Sequence, residues 1–298
     1  MKISASAPSR SISFEFFPPQ STEATLRLWR SVERLAPLGP SFVSVTYGAG
    51  GTTRDRTLAA IQTIQDRARL SVMGHLTCVG ASRADTLEVA RRYRKLGVTG
   101  IVALRGDPPK GAGGFEAHPE GFTSGLDLVE GLAKDGWRSI TVAAYPEKHP
   151  EARDMDADID TLRAKQDAGA TAVIAQFCFE TEDFLRFRDR AVAKGVTLPI
   201  HPGILPVENF DKMAGFARRC GAGVPDWLEK AFRAAQTEED ATLLATAIAT
   251  EQGDLLLSEG VPHLHFYTLN NPDLVHGIVR TLGFEPAAFS LRAGGQVA

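Results

Sequence analysis

Short runs of β-branched and aromatic residues alternate with longer stretches whose apolar positions recur at helical spacing, and this continues along most of the 298 residues. Such a rhythm is the signature of repeated βα units around a parallel sheet. The runs predict strands over 12–17, 42–47, 72–78, 100–105, 140–145, 172–177, 198–204 and 263–268. Between them, Ser21 is placed to cap a helix through Leu35. Asp85 falls in the first turn of a helix reaching about Lys95, and Thr237 with Asp240 forms a weaker version of the capping box. Leu243, Leu244, Ala247, Ile248 and Leu255 predict the face by which that last helix packs. Gly97, Gly169 and Gly195 each follow a periodic run and precede a strand, where helices commonly stop. The interval between the seventh and eighth strands has room for an insertion of about two helices, one beginning near Pro225.

Eight strands in a chain of this length favour an α/β fold of the (β/α)8 TIM barrel type, with a short helical insertion before the last strand. A doubly wound sheet usually has roughly five or six parallel strands. The turn Gly48-Ala49-Gly50-Gly51-Thr52-Thr53 also lacks the third glycine of a dinucleotide fingerprint. The reading is of one catalytic barrel domain over 1–298, with 1–10 and 285–298 as frayed ends rich in Ser, Ala and Gly.

Composition narrows the function. Thirty-three Lys and Arg against 36 Asp and Glu leave a formal charge of −3, which supplies no basic surface for nucleic acid. No stretch approaches the roughly 18 apolar residues of a membrane span, and the opening MKISASAPSRSIS has no apolar core of the signal-peptide kind. The expectation is a cytoplasmic protein with no membrane partner. Cys78, Cys178 and Cys220 are widely spaced, with no C-x-x-C, which argues against a disulfide framework; two of them lie in apolar runs and read as small core residues. His263-x-His265 would need a third ligand to hold a metal, and none is apparent.

Active sites of such barrels lie at the carboxyl ends of the strands, so polar residues that end apolar strands are the candidates. Glu15 sits in Ser13-Phe14-Glu15-Phe16-Phe17-Pro18-Pro19, flanked by aromatics. A carboxyl group there is either salt-bridged or held in an apolar site, where desolvation raises its pKa and suits it to act as an acid. Thr46 and Tyr47 end the second strand, His75 lies in the third, and Arg105-Gly106-Asp107 ends the fourth. Tyr145 ends the fifth, Gln176 lies in the sixth, and His265, Tyr267 and Asn270 belong to the eighth. Each has an ordinary structural explanation, such as a hydrogen-bonded core histidine or a turn aspartate, but together they place acid, base, amide and hydroxyl groups around one opening. Arg105, Gly106 and Asp107 suit a flat polar ligand with phosphate nearby. Tyr145-Pro146-Glu147-Lys148-His149-Pro150 is a rigid loop that presents an aromatic and an imidazole, with Asp158 and Lys165 on the helix that follows.

These segments carry a resemblance. The motifs around Glu15, Thr46-Tyr47-Gly48-Ala49, His75-Leu76-Thr77-Cys78, Leu104-Arg105-Gly106-Asp107, Tyr145-Pro146-Glu147, Gln176-Phe177, Pro202-Gly203-Ile204-Leu205-Pro206 and His265-Phe266-Tyr267-Thr268-Leu269-Asn270 are similar, in order and register, to the bacterial type of 5,10-methylenetetrahydrofolate reductase. The resemblance covers about residues 12 to 284. It implies a barrel that holds FAD noncovalently, takes hydride from NADH or NADPH, and converts 5,10-methylenetetrahydrofolate to 5-methyltetrahydrofolate in one-carbon metabolism and methionine synthesis. Thr46, Tyr47, His75, Arg105, Gly106, Asp107, Tyr145, His149, Asp158 and Lys165 match the family's FAD-binding positions, and Thr123 and Ala152 match across a loop of different length. Glu15 matches the general acid, Asp107 the carboxylate beside flavin and pterin, Gln176 the amide that reads the pterin, and Phe216 the aromatic on which the nicotinamide cofactor folds.

Two positions depart from the pattern. Lys212 stands where the family usually has glutamine, and Asn271 where an arginine commonly holds the folate tail. The reading expects no adenosylmethionine-binding regulatory domain and is compatible with a homo-oligomer. Its competitors are a flavin-independent folate reductase on the same barrel, a pterin-binding one-carbon transferase without redox chemistry, and a catalytically silent binding protein.

Overall fold

The fold is a parallel barrel in which side chains alternate between an outer apolar layer and a partly polar interior. The computed structural model describes residues 10–47, 54–107 and 114–287. The glycine-rich turn at 48–53 and Pro108 lie outside those residues.

The strands are β1 (Ser11–Phe16), β2 (Phe42–Val45), β3 (Val72–Thr77), β4 (Gly100–Leu104), β5 (Ile140–Ala144), β6 (Ala172–Ala175), β7 (Ile200–His201), β8 (Gly203–Ile204) and β9 (His263–Tyr267). They pair in parallel in the order β7-β6-β5-β4-β3-β2-β1-β9-β8. The expected seventh strand is therefore two pieces, broken at Pro202, which has no N–H to give to a ladder. The first piece pairs with β6 (Ile174 with His201) and the second with β9 (Gly203 with His265), so the interrupted strand joins the two ends of the sheet. The Pro202 carbonyl still accepts from His265 N at 3.0 Å. Several strands also end one or two residues before the predicted limits, which leaves Tyr47, Arg105, Tyr145 and Gln176 in the loops just beyond.

The connecting helices are α1 (Thr22–Leu35), α2 (Arg54–Ala68), α3 (Arg83–Lys95), α4 (Gly125–Lys134), α5 (Met155–Asp167) and α6 (Thr181–Ala193). Three more, α7 (Phe210–Cys220), α8 (Asp226–Ala234) and α9 (Glu238–Ser258), precede β9, and α10 (Pro272–Thr281) follows it. Ser21, Ser82, Ser124 and Asp154 cap their helices by accepting an N–H from the first turn, and Thr237 with Asp240 forms a complete capping box. Gly97, Gly169 and Gly195 follow α3, α5 and α6 with φ of 78°, 114° and 87°, a region that side chains with a Cβ rarely enter.

The buried face of α9 differs from the predicted one. Leu243 is 64% exposed, whereas Ala245, Ala249, Gly253, Leu256 and Leu257 are buried. Small residues let α10 and its end come close: a Cβ on Gly253 would stand 2.7 Å from Leu282. Residues 285–287, expected to fray, are held as well, by an Arg280–Glu285 ion pair of 2.7 Å and by Ala287 N donating to Pro37 O at 2.8 Å.

Strand alternation sorts the two sides of the barrel. Ile12, Phe14 and Phe16 of β1 and Leu264 and Phe266 of β9 are fully buried in the layer beneath the helices. Their neighbours Ser11, Ser13, Glu15, His263, His265 and Tyr267 share the inner side. There, β1 pairs with β9 so that Ser11, Ser13 and Glu15 stand opposite His263, His265 and Tyr267. The apolar part of the interior comprises Met73, Val102 and Ile174, with Phe42 and Leu104 against them. No described helix is long and apolar enough to cross a membrane.

Candidate active site

At the carboxyl ends of the strands a cavity of about 580 Å³ opens. Its walls bring together Glu15, Thr46, Tyr47, His75, Arg105, Gly106, Asp107, Tyr145, His149, Ala152, Asp158, Lys165, Gln176 and Phe216. Of the positions matched or contrasted through the resemblance, three lie off the wall. Thr123 sits just before α4 and binds the Asp127 carboxylate through its N–H (2.9 Å) and hydroxyl (3.1 Å). Lys212 is exposed in the first turn of α7, and Asn271 is the residue before α10.

Glu15 lies on the cavity wall and, like His75, is 6% exposed. Its backbone is fixed from the last strand's loop, where the Thr268 hydroxyl donates to Glu15 O at 2.6 Å. Next to it, Asn270 grips the backbone of Phe17 through both ends of its amide, at 2.9 Å each. Leu269 and Asn270 adopt left-handed φ of 49° and 56° to make that grip. Asn270 is thus a clamp on the chain rather than a group on the cavity wall.

Glu15 Oε2 lies 3.3 Å from His75 Nε2 and 3.7 Å from His265 Nε2. Of the two readings left open for Glu15, a paired carboxylate or one in an apolar site with a raised pKa, these contacts match the first. Burial does push the carboxyl group up, but the two imidazoles together outweigh it and bring the group down to about 2. The flanking aromatics Phe14 and Phe16 face the helices, so they do not surround the carboxylate. Glu15 is therefore ionised at rest. Tyr93 fixes the His75 backbone by donating to His75 O at 2.8 Å.

The opposite wall is suited to an anion. Gly125 and Leu126 bring the first turn of α4 to the cavity, where unpaired N–H groups and the helix dipole favour negative charge. A Cβ on Gly125 would lie 3.6 Å from the backbone nitrogen of Arg105 and 3.8 Å from Lys165 Cε, so the Arg105 main chain and the Lys165 side chain approach this helix end. Burial lowers the Lys165 pKa, opposed by Asp158. Arg105 forms a two-pronged pair with Glu151, which the sequence reading had not singled out. Asp158 accepts His149 N at 2.8 Å, and the His149 ring stands edge-on to Tyr145 with centroids 4.6 Å apart. Burial raises the Tyr145 hydroxyl to about 12, so it is a donor at neutral pH.

Between these walls the floor is shaped for a flat group. Gly106 has φ 87°, and a Cβ there would stand 2.7 Å from Val79 and 2.9 Å from Thr77. Thr77 Oγ1 and His75 Nε2 are buried on the wall and make no hydrogen bond within the described residues. Phe216 of α7 stacks on Phe177 at 5.6 Å and 22°, which places an apolar ring at the mouth. The donor set fits a phosphate-bearing planar cofactor: cations and helix amides at one end, unsatisfied hydroxyl and imidazole groups at the other. Thr77, Ser124, Gly125, Thr161 and Tyr267 also line the cavity. Tyr267 is among the candidates of the last strand, and Thr77 could have been found by counting two residues along β3 from His75. Ser124, Gly125 and Thr161 gave no signal before the helices were placed. Among the described residues, no group of three His, Cys, Asp or Glu is arranged to hold a metal ion.

The sequence profile of methylenetetrahydrofolate reductase matches residues 2–283. The chain is 45% identical over 276 residues to the 5,10-methylenetetrahydrofolate reductase of Pectobacterium carotovorum subsp. carotovorum, covering 92% of this chain and 91% of that protein. The same figures hold for the protein of that name from Escherichia coli strain K12. In three dimensions the barrel matches, with a TM-score of 0.62, an uncharacterized protein from Clostridium thermocellum that binds two copies of 5-methyl-5,6,7,8-tetrahydrofolic acid. That match covers 92% of this chain and 95% of the other at 16% identity, and it speaks for the fold alone.

Proposed function

The chain belongs to the methylenetetrahydrofolate reductase family, and on that premise we propose that it is a cytoplasmic flavoenzyme reducing 5,10-methylenetetrahydrofolate to 5-methyltetrahydrofolate with FAD and NADH or NADPH. When bound, FAD supplies the two-electron step, accepting hydride from the nicotinamide cofactor and giving it to the folate.

The first turn of α4, Arg105 and Lys165 would hold the phosphate groups of FAD. Thr123 serves this helix end indirectly, through Asp127. Thr46, Tyr47, His75, Gly106, Tyr145, His149, Ala152 and Asp158 would complete the lining that holds the cofactor. Gln176 offers an amide to the pterin, which has donors and acceptors along one edge. Phe216 supplies the apolar face on which a nicotinamide ring can rest. Lys212 and Asn271 lie off the cavity wall, so any contact they make with a folate tail is made outside it.

Protonation falls to Glu15. The bridging ring of the substrate opens to an iminium cation only when a folate nitrogen gains a proton. Glu15 takes up a proton once the folate is bound and passes it to that nitrogen, and Asp107, at the mouth, favours the cation that forms. The feature that supports this reading most directly is the position of the Glu15–His75–His265 cluster and the anion-binding end of α4 on the same cavity.

The test is anaerobic spectroscopy of the purified protein. It should bind about one FAD per chain, lose the flavin band on addition of NADH or NADPH, and recover it with methylenetetrahydrofolate. Folate reduction without bound flavin would instead establish direct transfer from the nicotinamide cofactor. Flavin reduction that methylenetetrahydrofolate does not reverse would sink the assignment of substrate.

A further inference from the structure

The polar inner side of β1 and β9 holds a continuous string of groups that the chemistry at the mouth does not use. Ser11 Oγ lies 2.7 Å from His263 Nδ1, His263 Nε2 lies 2.8 Å from Ser13 Oγ, and Ser13 Oγ lies 2.7 Å from His265 Nδ1. His265 Nε2 has no other partner and faces Glu15 Oε2 across 3.7 Å. A shift of roughly 0.7 Å brings that last gap to hydrogen-bond length. Ser13 and His265 are fully buried, and His263 is 5% exposed. At the other end, Ser11 and His201 are half-buried at the amino-terminal edge of the barrel, and the His201 ring touches that of His263 with centroids 4.2 Å apart.

The string has a direction. A carboxylate can only accept, so Glu15 fixes His265 with its proton on Nε2. Nδ1 of His265 must then accept from Ser13, Ser13 from His263 Nε2–H, and His263 Nδ1 from the Ser11 hydroxyl. Every donor in the series points toward Glu15. We propose that Ser11, His263, Ser13 and His265 are a proton relay that charges Glu15 from the amino-terminal end of the barrel while ligands close the mouth.

The proposal rests on the functional reading above and accounts for a need it creates. Glu15 is ionised at rest, so its proton must come after the folate has entered. His75 lines the cavity and is closed off from solvent by the same ligand. Along the relay, water gives a proton to Ser11 as Ser11 passes its own to His263 Nδ1. His263 Nε2–H passes to Ser13, Ser13 to His265 Nδ1, and His265 Nε2–H to Glu15. One proton enters from solvent, whose buffer takes up the hydroxide left behind, and one arrives at Glu15, which passes from carboxylate to neutral acid; each ring changes tautomer while Ser11, His263, Ser13 and His265 stay neutral. Burial and the neighbouring His201 and His265 hold the His263 pKa far down, to about 2, which keeps it neutral and able to both accept and donate. The other groups facing the string are Phe42 of β2, stacked on His263 at 5.6 Å and 5°, and on its Glu15 end Ser44, His75 and Tyr267. The relay residues touch no substrate and act through Glu15.

Anaerobic stopped-flow on the FAD-loaded protein tests this by timing the two half-reactions separately. In Ser13→Ala and in His263→Phe, which keeps the stack on Phe42, flavin reduction by the nicotinamide cofactor should proceed as in the wild type. Reoxidation by methylenetetrahydrofolate should slow by about tenfold or more, toward the roughly 10² to 10⁴-fold typical of losing the acid itself. In His263→Ala, added imidazole should restore part of that rate. Wild-type reoxidation in both Ser13→Ala and His263→Phe, equal loss in the two half-reactions, or a His263→Ala defect that imidazole leaves unchanged would overturn the relay. A wild-type protein that methylenetetrahydrofolate cannot reoxidise would instead overturn the functional reading beneath it.

Discussion

Acid should loosen this barrel from inside, through His201 and His263. Burial depresses both imidazoles, from the ordinary 6.5 to about 4 for His201 and to about 2 for His263. In the unfolded chain both return to the ordinary value, so as pH falls below about 6.5 the unfolded state takes up protons first and stability is lost. At about pH 5 the folded forms of both are still neutral, so the loss is set almost wholly by the unfolded value. It comes to about 2 kcal/mol per histidine, or about 4 kcal/mol together between roughly pH 7.5 and pH 5. Below about 4 the His201 share stops growing, while that of His263 continues. Glu15 does not interfere in this window, because its own stabilisation is lost lower, between the ordinary 4.5 and about 2. At roughly 2 °C per kcal/mol for a chain of this size, the midpoint should fall by roughly 8 °C. His263→Phe keeps the stack on Phe42 but removes one titration, so its midpoint should fall by about half as much, whatever its stability at neutral pH. Thermal unfolding followed by far-ultraviolet circular dichroism at the two pH values measures both slopes. Equal slopes in the two proteins would show that His263 is not held neutral in the fold.

Other expected outcomes follow from the cavity. Glu15→Gln keeps the size and loses the proton, so flavin reduction should be spared and reoxidation by methylenetetrahydrofolate slowed by at least about 10²-fold, read at the flavin band. Arg105→Leu removes a charged donor beside α4 and should weaken FAD binding by roughly 10- to 100-fold in a fluorescence titration, corresponding to about 1.5 to 3 kcal/mol. Gly106→Ala meets both a left-handed φ and side chains within 3 Å. It should lower the thermal midpoint and abolish flavin retention on gel filtration.

How much of this was legible beforehand depended on the range of the signal. The βα rhythm, the caps and the glycine stops are local, and they placed the strands within a residue or two. The break at Pro202 could have been seen from the missing N–H, but that the two fragments pair with different neighbours is a fact of closure. In α9 the bulky residues drew the eye, whereas the close approach to α10 is made by Ala and Gly. Glu15 shows the limit most clearly. Between two phenylalanines it reads as a carboxyl group in an apolar site, yet alternation turns those rings outward and puts Glu15 with Ser11 and Ser13. Its imidazole partners come from His75 and from His265, 250 residues away in the chain. Only strand pairing brings them together.

The central claim is that hydride reaches the folate by way of a flavin in this cavity. Turnover in D2O with unlabelled NADH or NADPH tests it, with the reduced protein held before methylenetetrahydrofolate is added. Hydrogen carried on a flavin nitrogen exchanges with solvent, whereas hydrogen on the nicotinamide carbon does not. Mass spectrometry of the product should find one deuterium in its new methyl group; a methyl group free of deuterium, formed at an undiminished rate, would mean direct transfer and would contradict the account.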